Sequence, residues 1–150
     1  MTALSRGEEF ERGEYLGYSS AVQAACPWYM PCDISALVTA ARAKASAELG
    51  GDPAAQLPFF DGDLINDKAY QKYVNAATYA TPQAPPFLIL HGDADELVPF
   101  EQGVLMYDTL TALGCDARMI GLKGEVHAGP QFFQRPLWDV IAAFFMEKLS

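Results

Sequence analysis

Long apolar runs, clustered positive charge, paired cysteines and glycine-rich phosphate loops are all missing from this chain, and each absence removes a class of function. No apolar run approaches the ~20 residues that a helix needs to span a bilayer. Residues 1–14 are polar and acidic, without the apolar stretch of a secretory signal. Lys and Arg number 10 against 19 Asp and Glu, for a formal charge of −9. No basic cluster exceeds two residues, so neither nucleic acid nor an anionic membrane surface is expected as a partner. The 3 cysteines, Cys26, Cys32 and Cys115, are odd in number and lack metal-ligand spacing. They read as free thiols of a reducing compartment, and the chain is expected to be cytoplasmic. Without a phosphate loop or a His/Cys cluster, no cofactor and no metal is expected. Asp61, Asp63 and Asp67 lack the spacing of a calcium loop and read as a turn followed by a helix cap.

What is present is an ordinary globular composition, with 51% hydrophobic and 19% charged residues over a length of 150 that suits one domain. Residues 1–17 read as a loose lead-in. Val22 to Tyr29 is a short apolar run with the length and flanks of a buried strand. Asp33 is placed to cap a helix from Ile34 to about Leu49, stopped by Gly50-Gly51. Asp67 is placed to cap a second, short helix through Ala77. Phe87-Leu88-Ile89-Leu90 has no polar alternation, the pattern of a strand covered on both faces. A helix over Phe100–Leu113 follows, with Gly103, Met106, Leu110 and Leu113 on one face. Ala117–Leu122 is a third strand, and residues 132–149 form a last helix carrying Leu137, Ile141, Phe144 or Phe145, and Leu149 toward the sheet. The order predicts an α/β fold, a mostly parallel sheet of about three strands flanked by helices in a single domain over 1–150.

In such sheets chemistry gathers at the carboxyl ends of strands. Asp95 follows the second strand and His127 the third, so loops leaving one sheet edge can bring the two side chains into hydrogen-bonding reach. A carboxylate on one imidazole nitrogen fixes the tautomer and leaves the other nitrogen to act as general base. Taken singly, an Asp in a Gly-containing turn serves turn chemistry, and a loop His is an ordinary surface residue. Their joint placement, in the order Asp then His, raises the pair above those readings. His91 competes for the base role but lies at the strand end, where it more naturally satisfies backbone groups. Asp93 and Glu96 flank Asp95 as alternative acids, and Glu125 reads as a solvated loop charge. The nearest approach to a Gly-x-Ser-x-Gly nucleophile elbow is Gly17-Tyr18-Ser19-Ser20-Ala21. It is not preceded by a buried strand or followed by a helix, so Ser19 fails the context an elbow needs. Cys26 and Cys32 have no visible activating partner. Trp28, Tyr29 and Met30 could line a pocket, although core packing is their more ordinary use.

The segment from Pro85 to Pro99 contains His-Gly-x-x-Asp-x-x-Val-Pro as His91-Gly92-Asp93-Ala94-Asp95-Glu96-Leu97-Val98-Pro99. Together with Gly124-Glu125-Val126-His127, the run Ser20–Asp33 and the stretch Asn75–Tyr79, it resembles the α/β-hydrolase superfamily in its bacterial acetyl/feruloyl esterase-like branch. The resemblance covers about residues 18–150. It implies a carboxylic ester hydrolase acting on small-molecule esters by a Ser-His-Asp mechanism, with Asp95 as the acid and His127 as the base. The oxyanion loop and nucleophile elbow of such enzymes have no counterpart here, so the resemblance is to a C-terminal half. The expectation is a fragment that is inactive alone and that self-associates, or pairs with a missing N-terminal half, through the open edge at Val22–Tyr29. The competing expectation is a non-catalytic remnant or a self-associating interaction module.

Overall fold

A computed structural model describes Leu4, residues 13–39 and residues 66–150. Its centre is a parallel pair of strands, β1 (Phe87–Gly92) and β2 (Ala117–Leu122), in the register Phe87↔Ala117 through Gly92↔Leu122. All six residues of β1 are buried, as its unbroken apolar run predicts. Phe87 and Ile89 face one side and join Leu4, Cys32, Met106 and Leu110. Leu88 and Leu90 face the other and join Phe132, Leu137, Ile141 and Phe144. The period of two thus divides one strand between two cores. Each fully buried Leu, Ile or Phe contributes about 1.5–3 kcal/mol of apolar burial.

Helices cover both faces. Helix α1 (Lys68–Val74) starts at Asp67, whose carboxylate accepts from the Ala69 and Tyr70 amides, as its capping position predicts. It stops short of Ala77. Asn75 turns to extended backbone, and its side chain is drawn into a buried network: Nδ2 donates to Asp33 Oδ1 (2.8 Å) and Ser35 Oγ (2.9 Å), and Oδ1 accepts from the Ser35 amide. A 3-10 turn, Ala76–Tyr79, follows. Helix α2 (Phe100–Ala112) buries Gln102, Gly103, Met106 and Leu110, and Gly114, at φ +76°, ends it. Leu113 is only half-buried, and Gln102 takes a place on the inner face instead. The Gln102 Oε1 accepts from the amides of Cys32 and Asp33 and so holds the start of the helical residues 34–39. Asp33 caps that helix through Ala36, as expected. The expected continuation to Leu49, its Gly50-Gly51 stop, and the Asp61–Asp63 turn lie outside the described residues.

Helix α3 (Arg135–Leu149) is preceded by a 3-10 turn, Pro130–Phe133, and packs Leu137, Ile141 and Phe144 on the sheet. Leu149, expected on that face, is exposed. A helix of 15 residues runs ~22 Å, while strands of six reach ~20 Å, so the last turn overshoots. At this end Arg118 of β2 makes a paired contact to Glu147 (2.9 and 2.7 Å) and Lys148 reaches Asp116 (2.7 Å).

The strand expected over Val22–Tyr29 is reduced to a short ladder on the free side of β1, with bridges Ala25↔Phe87 and Trp28↔Leu90. Ala25 N–H donates to Pro86 O, Leu88 N–H to Ala25 O, Leu90 N–H to Pro27 O, and Tyr29 N–H to Leu90 O. The rung missing from this series is the one Pro27 cannot donate, which is why the pairing never becomes a full strand. Among the described residues the sheet is thus three segments wide, with β1 in the middle. Within residues 1–17, expected to be loose, Leu4 is docked in the core and its carbonyl accepts from the Thr81 hydroxyl.

Candidate active site

β1 and β2 are parallel and in register to their last residues, so both following loops leave the same edge. Three bonds fasten those loops together. Asp93 N–H donates to Leu122 O (3.1 Å), Ala94 N–H to Glu125 O (3.0 Å), and Gly124 N–H to Asp93 Oδ1 (2.5 Å). Gly92 makes this approach possible, since a Cβ there would come within 2.2 Å of the Glu125 carbonyl oxygen. Gly92→Ala is therefore expected to cost about 3 kcal/mol, because the obstacle is backbone. An unchanged urea midpoint would show that the loops can separate freely.

Asp95 stands in the first loop and is 7% exposed. Its Oδ1 accepts from the amides of Leu97 (2.9 Å) and Val98 (2.8 Å), an arrangement that fixes the carboxylate plane. Its Oδ2 lies 2.8 Å from His127 Nδ1. A carboxylate only accepts, so Nδ1 carries the proton, and in the neutral ring it is Nε2 that holds the lone pair. The His127 side chain is 27% exposed, beside a fully buried acid. The Tyr29 ring packs on the imidazole at 4.3 Å between centroids. Tyr29 (φ +38°) and Ala128 (φ +54°) are the non-glycine residues with positive φ among those described. One lies against the His127 ring and the other follows it in sequence, so backbone strain in this region is concentrated here.

The other candidates separate clearly. His91 is fully buried, and its Nε2 lies 2.8 Å from Val98 O, to which it donates. At 3.6 Å from Asp95 Oδ2 it is too far for a second bond, and its Nδ1 has no partner among the described residues. It satisfies backbone, as its strand-end position suggested. Asp93 holds Gly124, and Glu96 is exposed. Glu125 corrects the expectation of a solvated charge, being 4% exposed with its carboxylate bonded to backbone amides. Ser19 is exposed in an irregular stretch, and its Oγ accepts from the Ala21 amide. Trp28 and Tyr29 pack against the α3-side core and Met30 against the other. Burial pushes the Cys32 thiol up to about 11, and burial also raises Cys26. A thiol-specific reagent near neutral pH is expected to leave Cys32 unmodified until the chain unfolds. Rapid labelling in the native state would contradict that. Among the described residues no cluster of His, Cys, Asp and Glu could hold a metal, and no helix is long and apolar enough to cross a membrane.

Residues 1–110 match the BD-FAE family, an α/β-hydrolase-type esterase domain. The chain belongs to the BD-FAE family. The BD-FAE match takes in residues 1–17 and Asp95 and stops before His127. Two similar solved structures are a truncated carbohydrate esterase from gut microbiota and a bifunctional GH43-CE protein of Bacteroides eggerthii. The first is 27% identical with a TM-score of 0.65, over 91% of this chain and 46% of that one. The second is 27% identical with a TM-score of 0.66, over 92% of this chain and 18% of that one. A thermophilic esterase of Thermogutta terrifontis, 20% identical with a TM-score of 0.61 over 97% of this chain, shares the fold. This BD-FAE chain spans half or less of the length of each of these structures (46%, 18% and 50%). No curated protein matches it.

Proposed function

We propose that this chain supplies the acid and base of a serine hydrolase that cleaves small carboxylic esters, with the nucleophile coming from outside these 150 residues. The observation that carries the reading is the 2.8 Å contact between His127 Nδ1 and a buried Asp95, with no partner for the opposite ring nitrogen among the described residues. In this reading a serine hydroxyl gives its proton to His127 Nε2 as its oxygen attacks the ester carbonyl. The imidazolium is stabilised by Asp95 and returns the proton to the departing alcohol. Water then repeats the sequence to release the acid. Esters on carbohydrates are the substrate class favoured by the relatives' descriptions. The three free thiols fit a cytoplasmic setting.

The isolated chain is expected to hydrolyse a short-chain nitrophenyl ester no faster than free imidazole does. Co-expression with a polypeptide carrying a Gly-x-Ser-x-Gly elbow and an oxyanion loop should restore turnover, and His127→Ala should abolish it. Turnover by the chain alone that disappears in Ser19→Ala would instead make Ser19 the nucleophile.

Association is the second reading, favoured by one surface. Trp28 contacts Phe133 (6.1 Å) and Trp138 (5.6 Å), both substantially exposed, beside the outer edge of the Ala25–Tyr29 ladder. An edge without a strand partner among the described residues, flanked by aromatic rings, invites a further strand. Sedimentation should show self-association of the isolated chain, weakened by Trp138→Glu. A monodisperse monomer at high concentration would dispose of this reading.

A further inference from the structure

We propose that Glu125 is a positioning residue for His127, a role that rests on reading His127 as the general base. Glu125 meets both loops at once. Its backbone carbonyl accepts from Ala94, next to Asp95, and its amide donates to Leu122 O at the end of β2 (3.2 Å). Its side chain turns the other way and closes the loop that carries His127. One carboxylate oxygen accepts from the Val126 amide (3.1 Å) and the other from the Gln131 amide (2.6 Å), so the two ends of the 126–131 segment are held by one group. Gly129 makes room for it, because a Cβ at that position would come within 1.9 Å of Oε1. His127 and the positive-φ Ala128 lie between the two anchored amides.

The chemistry of the group fits this use. A buried carboxylate is costly unless its oxygens are bonded, and no cation is paired with Glu125 among the described residues. Two backbone amides provide the compensation, through charge-assisted bonds that are the stronger kind. Only a carboxylate accepts at both ends of the side chain. The carboxamide of Gln accepts at one end and sets an N–H against an N–H at the other. Asp is one methylene shorter and cannot reach both amides from the same backbone position. The acid of the pair is fixed by its own turn, through Leu97 and Val98. The base is bonded to that acid and backed by the Tyr29 ring, but its own backbone segment is closed by the Glu125 carboxylate, beside the bonds through which Asp93 and Ala94 fasten the two loops.

The test reads the imidazole rings rather than turnover. Long-range proton–nitrogen correlation spectra of the labelled chain should show His127 protonated at Nδ1, and His91 protonated at Nε2 as an internal control. In Glu125→Ala the His127 nitrogens should collapse to the average of a freely exchanging ring while His91 stays unchanged. The Gln131 amide should exchange about ten- to hundredfold faster, as expected for losing a bond to a charged group. Glu125→Gln keeps the volume and settles the matter if the Ala variant does not fold. It should give a His127 spectrum between the two. A His127 signature identical to the unsubstituted chain in these variants, with the Gln131 amide deprotected, would reduce Glu125 to a loop staple and overturn the proposal. An averaged His127 in the unsubstituted chain would overturn the acid–base reading itself and leave Glu125 nothing to position.

Discussion

Replacing Asp95 by Asn should leave the chain folded and remove about four orders of magnitude from the kcat of any hydrolase that uses this pair. The amide oxygen of Asn can still accept from Leu97 and Val98, so the turn survives. Its NH2 group then faces His127 Nδ1 in place of Oδ2. It donates to that nitrogen, which must become the lone-pair nitrogen, and the proton moves to Nε2. The ring is then in the wrong tautomer to take a proton from a serine. The stability cost should be only about 1–2 kcal/mol, because one charge-assisted bond is replaced by a weaker one. Ester turnover by the reconstituted enzyme and a urea titration of the isolated chain together check this. Turnover within tenfold of the unsubstituted enzyme would remove Asp95 from the mechanism.

Phe132→Ala should destabilise the chain by about 3–5 kcal/mol, the largest single loss expected in its core. Phe132 has no exposed surface and packs with Leu88, Leu90, Leu137 and Ile141. Its ring also lies 5.7 Å from Trp28 and 5.0 Å from Tyr29. Domains are stable by only about 5–15 kcal/mol in total, so this variant should sit near the edge of folding. Phe132→Leu, which keeps most of the volume, should cost less than half as much. Because Phe132 supports the ring that lies on His127, the Leu variant should also loosen that imidazole. The midpoint of chemical unfolding measures the first effect and the His127 ring spectrum the second. A Phe132→Ala chain as stable as its parent would mean that the α3-side core is not formed as described.

Much of this was legible in sequence because it depends on neighbours in the chain. The unbroken Phe87–Leu90 run announced a strand buried on both faces, and Asp67 announced a cap. Asp95 and His127 could be paired because parallel strands deliver their following loops to one edge, and order along the chain sufficed to see it. What sequence hid depends on distant partners. Asn75 ends its helix early by bonding Asp33 and Ser35, some forty positions away. Gln102 looks like a surface residue of a helix until Cys32 and Asp33 are folded against it. Glu125 read as solvated because a lone acid in a polar loop gives no hint of the amides that enclose it. Gly92 and Gly129 were the available signal, two positions whose missing side chains make way for the same residue. The shortening at Val22–Tyr29 was within reach, since Pro27 cannot donate to a ladder.

The fastening of the two loops has a consequence for assembly. Asp95, His127, the strands beneath them and the bonds among Asp93, Ala94, Leu122, Gly124 and Glu125 all fall within residues 87–131. In the proposed reading the acid and base therefore form one cassette, aligned by folding and backed by the Tyr29 ring before any serine arrives. In that reading an incoming nucleophile would have only its own distance to His127 to establish, because the entropy of orienting acid against base has already been met by folding. Evolution or design could pair such a cassette with different nucleophile-bearing partners, and each new partnership would have one geometry to solve instead of two.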